Sequence, residues 1–158
     1  MTWDARLRLV LDVVCGVQYL HGEGLIHGDL KSANILVTKS EGVAVDSPTR
    51  TIVAKVADFG TVHTLIPKHS IQSPTAASRG SDSGTFDYLP PERYSGGFKA
   101  KANKAEDVYG YSMIMWEVLV LGEAFPWRAE FTNLGRRSDE EFRMFMKEAI
   151  AEKRRRPP

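Results

Sequence analysis

Apolar residues recur every three to four positions near the start of the chain, at Trp3, Leu7, Val10, Leu11, Val14 and Val17. That is the period of an amphipathic helix that buries this stripe. Thr2 stands at the N-cap position and Asp4 in the first turn, where an acceptor and a negative charge meet unpaired helix N–H groups. Gly22 and Gly24 end the element. The pattern then changes. Ile35 to Val37 and Thr51 to Val56 are short β-prone runs on either side of a polar stretch, Lys39 to Arg50, and predict a hairpin. Thr61 to Ser83 is polar, rich in Ser and Thr and interrupted by Pro67, Pro74 and Gly80. It has no sustained period and predicts a mobile loop.

From Glu106 to Leu121 nearly every helical face is apolar, including Val108, Tyr111, Met115, Trp116 and Leu119. Such a helix belongs in a core, and it is shorter than the roughly 20 residues of a membrane span. Ser138-Asp139-Glu140-Glu141 spells a capping box. It opens a last helix whose stripe is Phe142, Phe145, Met146, Ala149 and Ile150. The elements together predict an α+β fold, mostly α, with helices around a short hairpin.

Bulk properties narrow the class without naming a chemistry. The 158 residues allow one domain, large enough to bury about 68–70% of its unfolded surface. Hydrophobic residues are 42% and charged ones 26%, ordinary for a globular protein. A net charge of +1 points to neither nucleic acid nor a membrane as partner. The basic run Lys153 to Arg156 reads as a solvated helix end favoured by the dipole. Cys15 is the single cysteine, which excludes an internal disulfide and suits the cytoplasm. Its apolar neighbours predict a buried, inert thiol. His21, His27, His63 and His69 show no metal-ligand spacing with it, and no leader peptide pattern is visible. Gly22, Gly24 and Gly28 form a loose glycine motif, but a dinucleotide fingerprint needs a strand before it and a helix after it. Here the order is reversed.

The chemistry lies in two motifs. His27-Gly28-Asp29-Leu30-Lys31-Ser32-Ala33-Asn34 precedes the first β run, and Asp58-Phe59-Gly60 follows the second. Phosphoryl transfer uses such parts: a carboxylate to orient the attacking hydroxyl, a cation on the moving phosphate, and oxygen ligands for magnesium. In this order the motifs resemble the catalytic loop and the metal-binding triplet of protein kinases. Gly84-Thr85-Phe86-Asp87-Tyr88-Leu89-Pro90-Pro91-Glu92 resembles the end of an activation segment, with Pro-Pro-Glu where Ala-Pro-Glu is usual. Asp107-Val108-Tyr109-Gly110-Tyr111-Ser112 through Trp116-Glu117 resembles the family's long buried helix. The whole is similar to the Ser/Thr kinases of the tyrosine-kinase-like group.

The resemblance implies roles. Asp29 is the expected catalytic carboxylate and Lys31 the cation that steadies the transferred phosphate of ATP. Asn34 and Asp58 are the expected Mg2+ ligands, and Leu36 packs under the adenine. Thr85 positions the substrate and, with Lys31, favours Ser or Thr acceptors on a protein substrate. His27, Phe59 and Asp107 are expected to be structural, as is Glu92, whose usual arginine partner lies in a part of the family's fold with no counterpart here. Residues 1–158 correspond to a partial kinase domain, the large lobe truncated at both ends. The Gly-rich loop, strand lysine and partner glutamate of the small lobe are not in it, so the small lobe is an expected partner and the isolated fragment is expected to be inactive. Gly28 departs from the family, since many kinases carry there an Arg that reads a loop phosphate. His-Gly-Asp also resembles aminoglycoside and choline kinases, which normally lack the Asp-Phe-Gly triplet. A pseudokinase-like lobe that binds partners is the non-enzymatic alternative.

Overall fold

The computed structural model describes residues 1–39, 52–64, 85–96, 103–121, 125–135 and 138–155. The hairpin's connecting turn and most of the predicted loop, including its prolines, lie outside the described residues. Helix α1 (Trp3–Gly22) is followed by β1 (Leu25–Ile26), the hairpin strands β2 (Ile35–Lys39) and β3 (Ile52–Val56), and β4 (His63–Thr64). Then come α2 (Pro91–Gly96), α3 (Lys104–Leu119), α4 (Pro126–Asn133) and α5 (Asp139–Met146), the last running on as a π-helical turn, Lys147–Glu152. The fold is mostly helical with two small antiparallel sheets, β1–β4 and β2–β3. Thus residues 61–64 are ordered structure, not loop: β4 gains partners because β1 offers an unpaired edge, with Leu25 opposite Thr64 and Ile26 opposite His63. No helix among the described residues is long and apolar enough to cross a membrane.

Thr2 caps α1 by accepting from the Ala5 N–H, as its position predicts. The buried face differs from the predicted stripe. Leu9, Val10, Val13, Val17 and Leu20 are buried, whereas Trp3, Leu7 and Leu11 are 58%, 47% and 59% exposed. Val10 and Val17 belong to both stripes, so the sequence pattern was off by part of a turn. Packing decides the outcome: Leu9, Val13 and Val17 meet Leu30, Ala54 and Ile114 in one core cluster, and Asp12 accepts from the Ala54 N–H at 3.0 Å. That rotation turns Cys15 outward, so the thiol is exposed, not buried.

Helix α3 is also less enclosed than its composition predicts. Glu106, Asp107, Gly110, Met113 and Ile114 are buried, but Val108 is 58% exposed, because the neighbouring elements pack against one side.

A second cluster gathers Tyr94, Trp127, Phe131 and the α5 stripe Phe142, Phe145, Met146, Ala149 and Ile150. Here the expected stripe and the capping box at Ser138 and Glu141 both form. Two ion pairs frame this cluster. Arg93 meets Glu106 at 2.7 Å with both side chains buried. Arg128 clasps Asp87 with bonds of 2.9 to 3.1 Å and lies 3.6 Å over the Phe142 ring. Burial pushes the Asp87 carboxyl above its usual value, against the opposing pull of Arg128. At the chain's end, Arg155 binds Glu130 through 2.8 and 2.7 Å contacts and Lys153 binds Glu148 at 2.6 Å. The basic run is therefore partly paired.

The rotated face of α1 gives a direct test. Leu9→Ala should destabilise the fold by about 2–5 kcal/mol, whereas Leu11→Ala should change it by no more than about 0.5 kcal/mol. Urea denaturation of both variants measures the difference, and equal losses would restore the face expected from the sequence.

Candidate active site

The site starts from a buried carboxylate. Asn103 caps α3 through the Glu106 N–H, which sets Asp107 in the first turn with no exposure to solvent. Asp107 Oδ2 accepts from the His27 backbone N–H at 2.9 Å and from His21 Nε2 at 2.8 Å. Its Oδ1 accepts from the Gly28 N–H at 2.9 Å. The chain turns there with Gly28 at φ 77°, a conformation that glycine adopts without a side-chain clash. Below it, a Cβ on Gly110 would stand 2.5 Å from the Leu30 carbonyl oxygen. Only glycine lets α3 pass this close to the loop.

His27 joins the second motif to the first. Its Nε2 lies 2.9 Å from the Ala57 carbonyl and its Nδ1 accepts from the Asp29 N–H at 3.4 Å. The neutral tautomer with the proton on Nε2 satisfies both contacts. The Phe59 ring centre is 5.9 Å away, and Thr61 Oγ1 donates to the His27 carbonyl at 3.0 Å. Separately, the hairpin register sets Ile35 opposite Val56, and the Ala57 N–H reaches the Asn34 carbonyl at 2.9 Å. Residues Asn34 and Asp58, distant in sequence, therefore leave the same end of the hairpin.

At that end Asp29, Lys31 and Asn34 form one cluster. Lys31 Nζ is 3.2 Å from Asp29 Oδ2. Asn34 Nδ2 donates to the Asp29 carbonyl at 2.8 Å and to its carboxylate at 3.3 Å. The amide nitrogen is thus committed and Oδ1 remains an oxygen donor. Asp58 is exposed and sits at φ 62°, ψ 76°, with its Oδ1 accepting from the Gly60 N–H. A non-glycine residue held in the left-handed region is a form of backbone strain that clusters at functional sites. The described residues contain no group of three or more His, Cys, Asp or Glu arranged for a metal. One carboxylate and one amide oxygen fit instead a hard cation such as Mg2+, which keeps several waters and takes phosphate oxygens.

Other expected residues fall around this centre. Leu36 lies on β2 and is 55% exposed. Thr85 begins the 3-10 turn Thr85–Tyr88. Glu92 is exposed in the first turn of α2, and it is its neighbour Arg93 that makes the buried ion pair. A further cluster escaped sequence reasoning. Tyr88 OH donates to Glu117 Oε2 at 2.6 Å and meets Ser32 Oγ at 2.7 Å, which ties this turn to the residue after Lys31. Burial and the Glu117 carboxylate push the Tyr88 phenol well above its usual value. The position of Ser32 beside Lys31 was the only hint of it in the sequence.

If Asp107 holds the loop, Asp107→Ala should cost about 1–3 kcal/mol for each buried N–H left without an acceptor. Denaturant unfolding measures the loss, and amide exchange at His27 and Gly28 should accelerate more than exchange in α5. A loss below about 1 kcal/mol, or unchanged exchange at these two amides, would contradict the anchoring role.

The chain is also similar in sequence to known proteins. The family described as "Protein kinase domain" matches residues 2–157. Receptor-interacting serine/threonine-protein kinase 2 of Bos taurus is 34% identical over 125 residues, covering 78% of this chain and 21% of that protein. Wall-associated receptor kinase 2 of Arabidopsis thaliana is 36% identical over 122 residues, covering 75% of the chain and 14% of the relative. Calcium/calmodulin-regulated receptor-like kinase 1, also of Arabidopsis thaliana, is 33% identical over 123 residues, covering 75% and 23%. The chain thus spans less than a quarter of the length of these relatives. With the family matched along nearly its whole length, this chain belongs to the protein kinases.

Proposed function

We propose that this chain is the large lobe of a Ser/Thr protein kinase of the tyrosine-kinase-like group, transferring the γ-phosphate of ATP to Ser or Thr hydroxyls of proteins. The observation that carries the reading is the Asp29–Lys31–Asn34 cluster facing the same hairpin end as Asp58. Bound ATP with Mg2+ would supply the phosphoryl group and neutralise part of its charge. Asn34 Oδ1 and the Asp58 carboxylate would hold the cation. The Asp29 carboxylate accepts the proton of the attacking hydroxyl as that oxygen bonds to the γ-phosphorus and the bond to the ADP oxygen breaks. Lys31, already beside Asp29, offers its positive charge to the phosphoryl oxygens during transfer.

The remaining assignments follow the same reading. Leu36, exposed on β2, is the apolar contact for the adenine, on the side that the small lobe would close over. Thr85 positions the acceptor, and the segment up to Tyr88 is the wall against which the substrate lies. His27, Phe59 and Asp107 hold the loops together, and Glu92 belongs to the turn that follows the substrate wall. A kinase of this kind works where ATP is abundant, which favours a cytoplasmic placement of the domain.

In an active kinase containing this chain, Asp29→Ala should lower turnover by roughly 10²–10⁴-fold, the usual worth of a positioned proton acceptor. Asp58→Ala should also weaken binding of ATP with magnesium. Steady-state phosphorylation at varied ATP and Mg2+ measures both, and near wild-type rates in the two variants would sink the assignment.

Acceptor choice is a separate test. Phosphoamino-acid analysis of a mixed peptide pool should return phosphoserine and phosphothreonine. A product that is mainly phosphotyrosine would overturn the specificity, and preferential phosphorylation of an aminoglycoside or choline would overturn the protein-kinase reading altogether.

A further inference from the structure

A small, partly open cavity lies where three segments of the site meet. Gly28 and Asp29 of the loop before β2, Tyr88 and Pro90 of the segment before α2, and Glu106 and Asp107 of α3 all line it. Its volume, about 20 Å³, is that of one water and little more. Glu106 is 8% exposed. One of its carboxylate oxygens, Oε2, is taken by Arg93 at 2.7 Å, while the other, Oε1, is buried without a hydrogen-bond partner. Buried polar atoms in native proteins nearly always have a partner, and an ordered water is the usual one when protein supplies none.

We infer that this cavity holds one structural water, which donates one hydrogen to Glu106 Oε1 and the other to an acceptor of the catalytic-loop wall. The cavity's chemistry selects water over a metal ion. The described residues offer no cluster of three or more metal-ligating side chains, and a single cation would compete with Arg93 for Glu106. Water instead satisfies two acceptors at once and adds no charge to a space lined by three acidic residues. Glu106 then becomes a positioning residue. Arg93 fixes it from α2, and the water passes that position to the loop that carries Asp29. Helix α2 and the proton acceptor are coupled through one exchangeable molecule. This role rests on the reading of Asp29 as the catalytic carboxylate, whereas the presence of the water does not.

Two measurements separate the two statements. Rotating-frame water–amide NMR on the 158-residue chain should show direct cross-peaks from a long-lived water to the amides of Gly28, Asp29 or Leu30. Absence of such peaks would overturn the inference, whatever the protein's activity. Glu106→Gln keeps the shape and one acceptor for Arg93 but replaces the water's acceptor by a donor. In an active kinase containing the chain it should reverse the direction of the water's bond at this position and lower kcat roughly ten- to a hundredfold, the scale of a small misplacement of reacting groups. KM for ATP should stay within about twofold, since the groups expected to hold nucleotide are untouched. Glu106→Asp, which retains the carboxylate, should recover part of the rate. An unchanged kcat in Glu106→Gln, or equal changes in kcat and KM, would refute the positioning role. Absence of phosphotransfer in a longer protein that joins this chain to a small lobe would refute the reading of function and leave the water to the NMR result.

Discussion

Three N–H groups on one buried carboxylate hold this site together. Asp107 accepts from the backbone of His27 and Gly28 and from the ring of His21. Charge-assisted bonds of this kind are stronger than neutral ones, and burial makes their loss more costly. The consequence is geometric. Strand β1 and the loop after it cannot shift along α3 without breaking the two backbone bonds, His21 ties the end of α1 to the same carboxylate, and Gly110 removes the side chain that would hold loop and helix apart. Everything the loop carries, including Asp29 and Lys31, takes its position from the first turn of α3.

From that anchor the site is extended by backbone contacts. His27 bridges to Ala57, Thr61 returns a bond to His27, and the β2–β3 register brings Asn34 beside the start of the Asp58 segment. Rigid elements thus hold groups whose own chemistry is soft. Asp58 is exposed and strained, Lys31 is long, and Leu36 faces outward. The proposed nucleotide surface needs such accessibility, and the buried framework compensates for the stability these residues do not supply.

Local features were legible in the sequence and relations between distant residues were not. The N-cap at Thr2, the capping box at Ser138 and the hairpin depend on residues close along the chain, and each formed as read. The face of α1 did not, because Trp3, Leu7 and Leu11 are apolar enough to compete with Leu9 and Val13, and only the packing of β3 and α3 decides between them. The exposure of Cys15 follows from the same rotation. The Arg93–Glu106 pair and the Ser32–Tyr88–Glu117 cluster join residues from different elements, with no spacing rule to reveal them. For the site, residue types and order in the two motifs were enough to name the candidates. The structure added how they are held: the amide of Asn34 turned by Asp29, and the left-handed backbone at Asp58.

The central proposal is that Asn34 and Asp58 form a divalent-cation site at the hairpin end. Paramagnetic Mn2+, titrated with ATP into the isotopically labelled chain, reports on it most directly through broadening of nearby amide signals. Signals of Asn34, Ala57, Asp58 and Phe59 should broaden first, at metal concentrations that leave α5 untouched. Broadening that begins instead at the acidic first turn of α5, Asp139 to Glu141, or that spreads evenly over the chain, would contradict it.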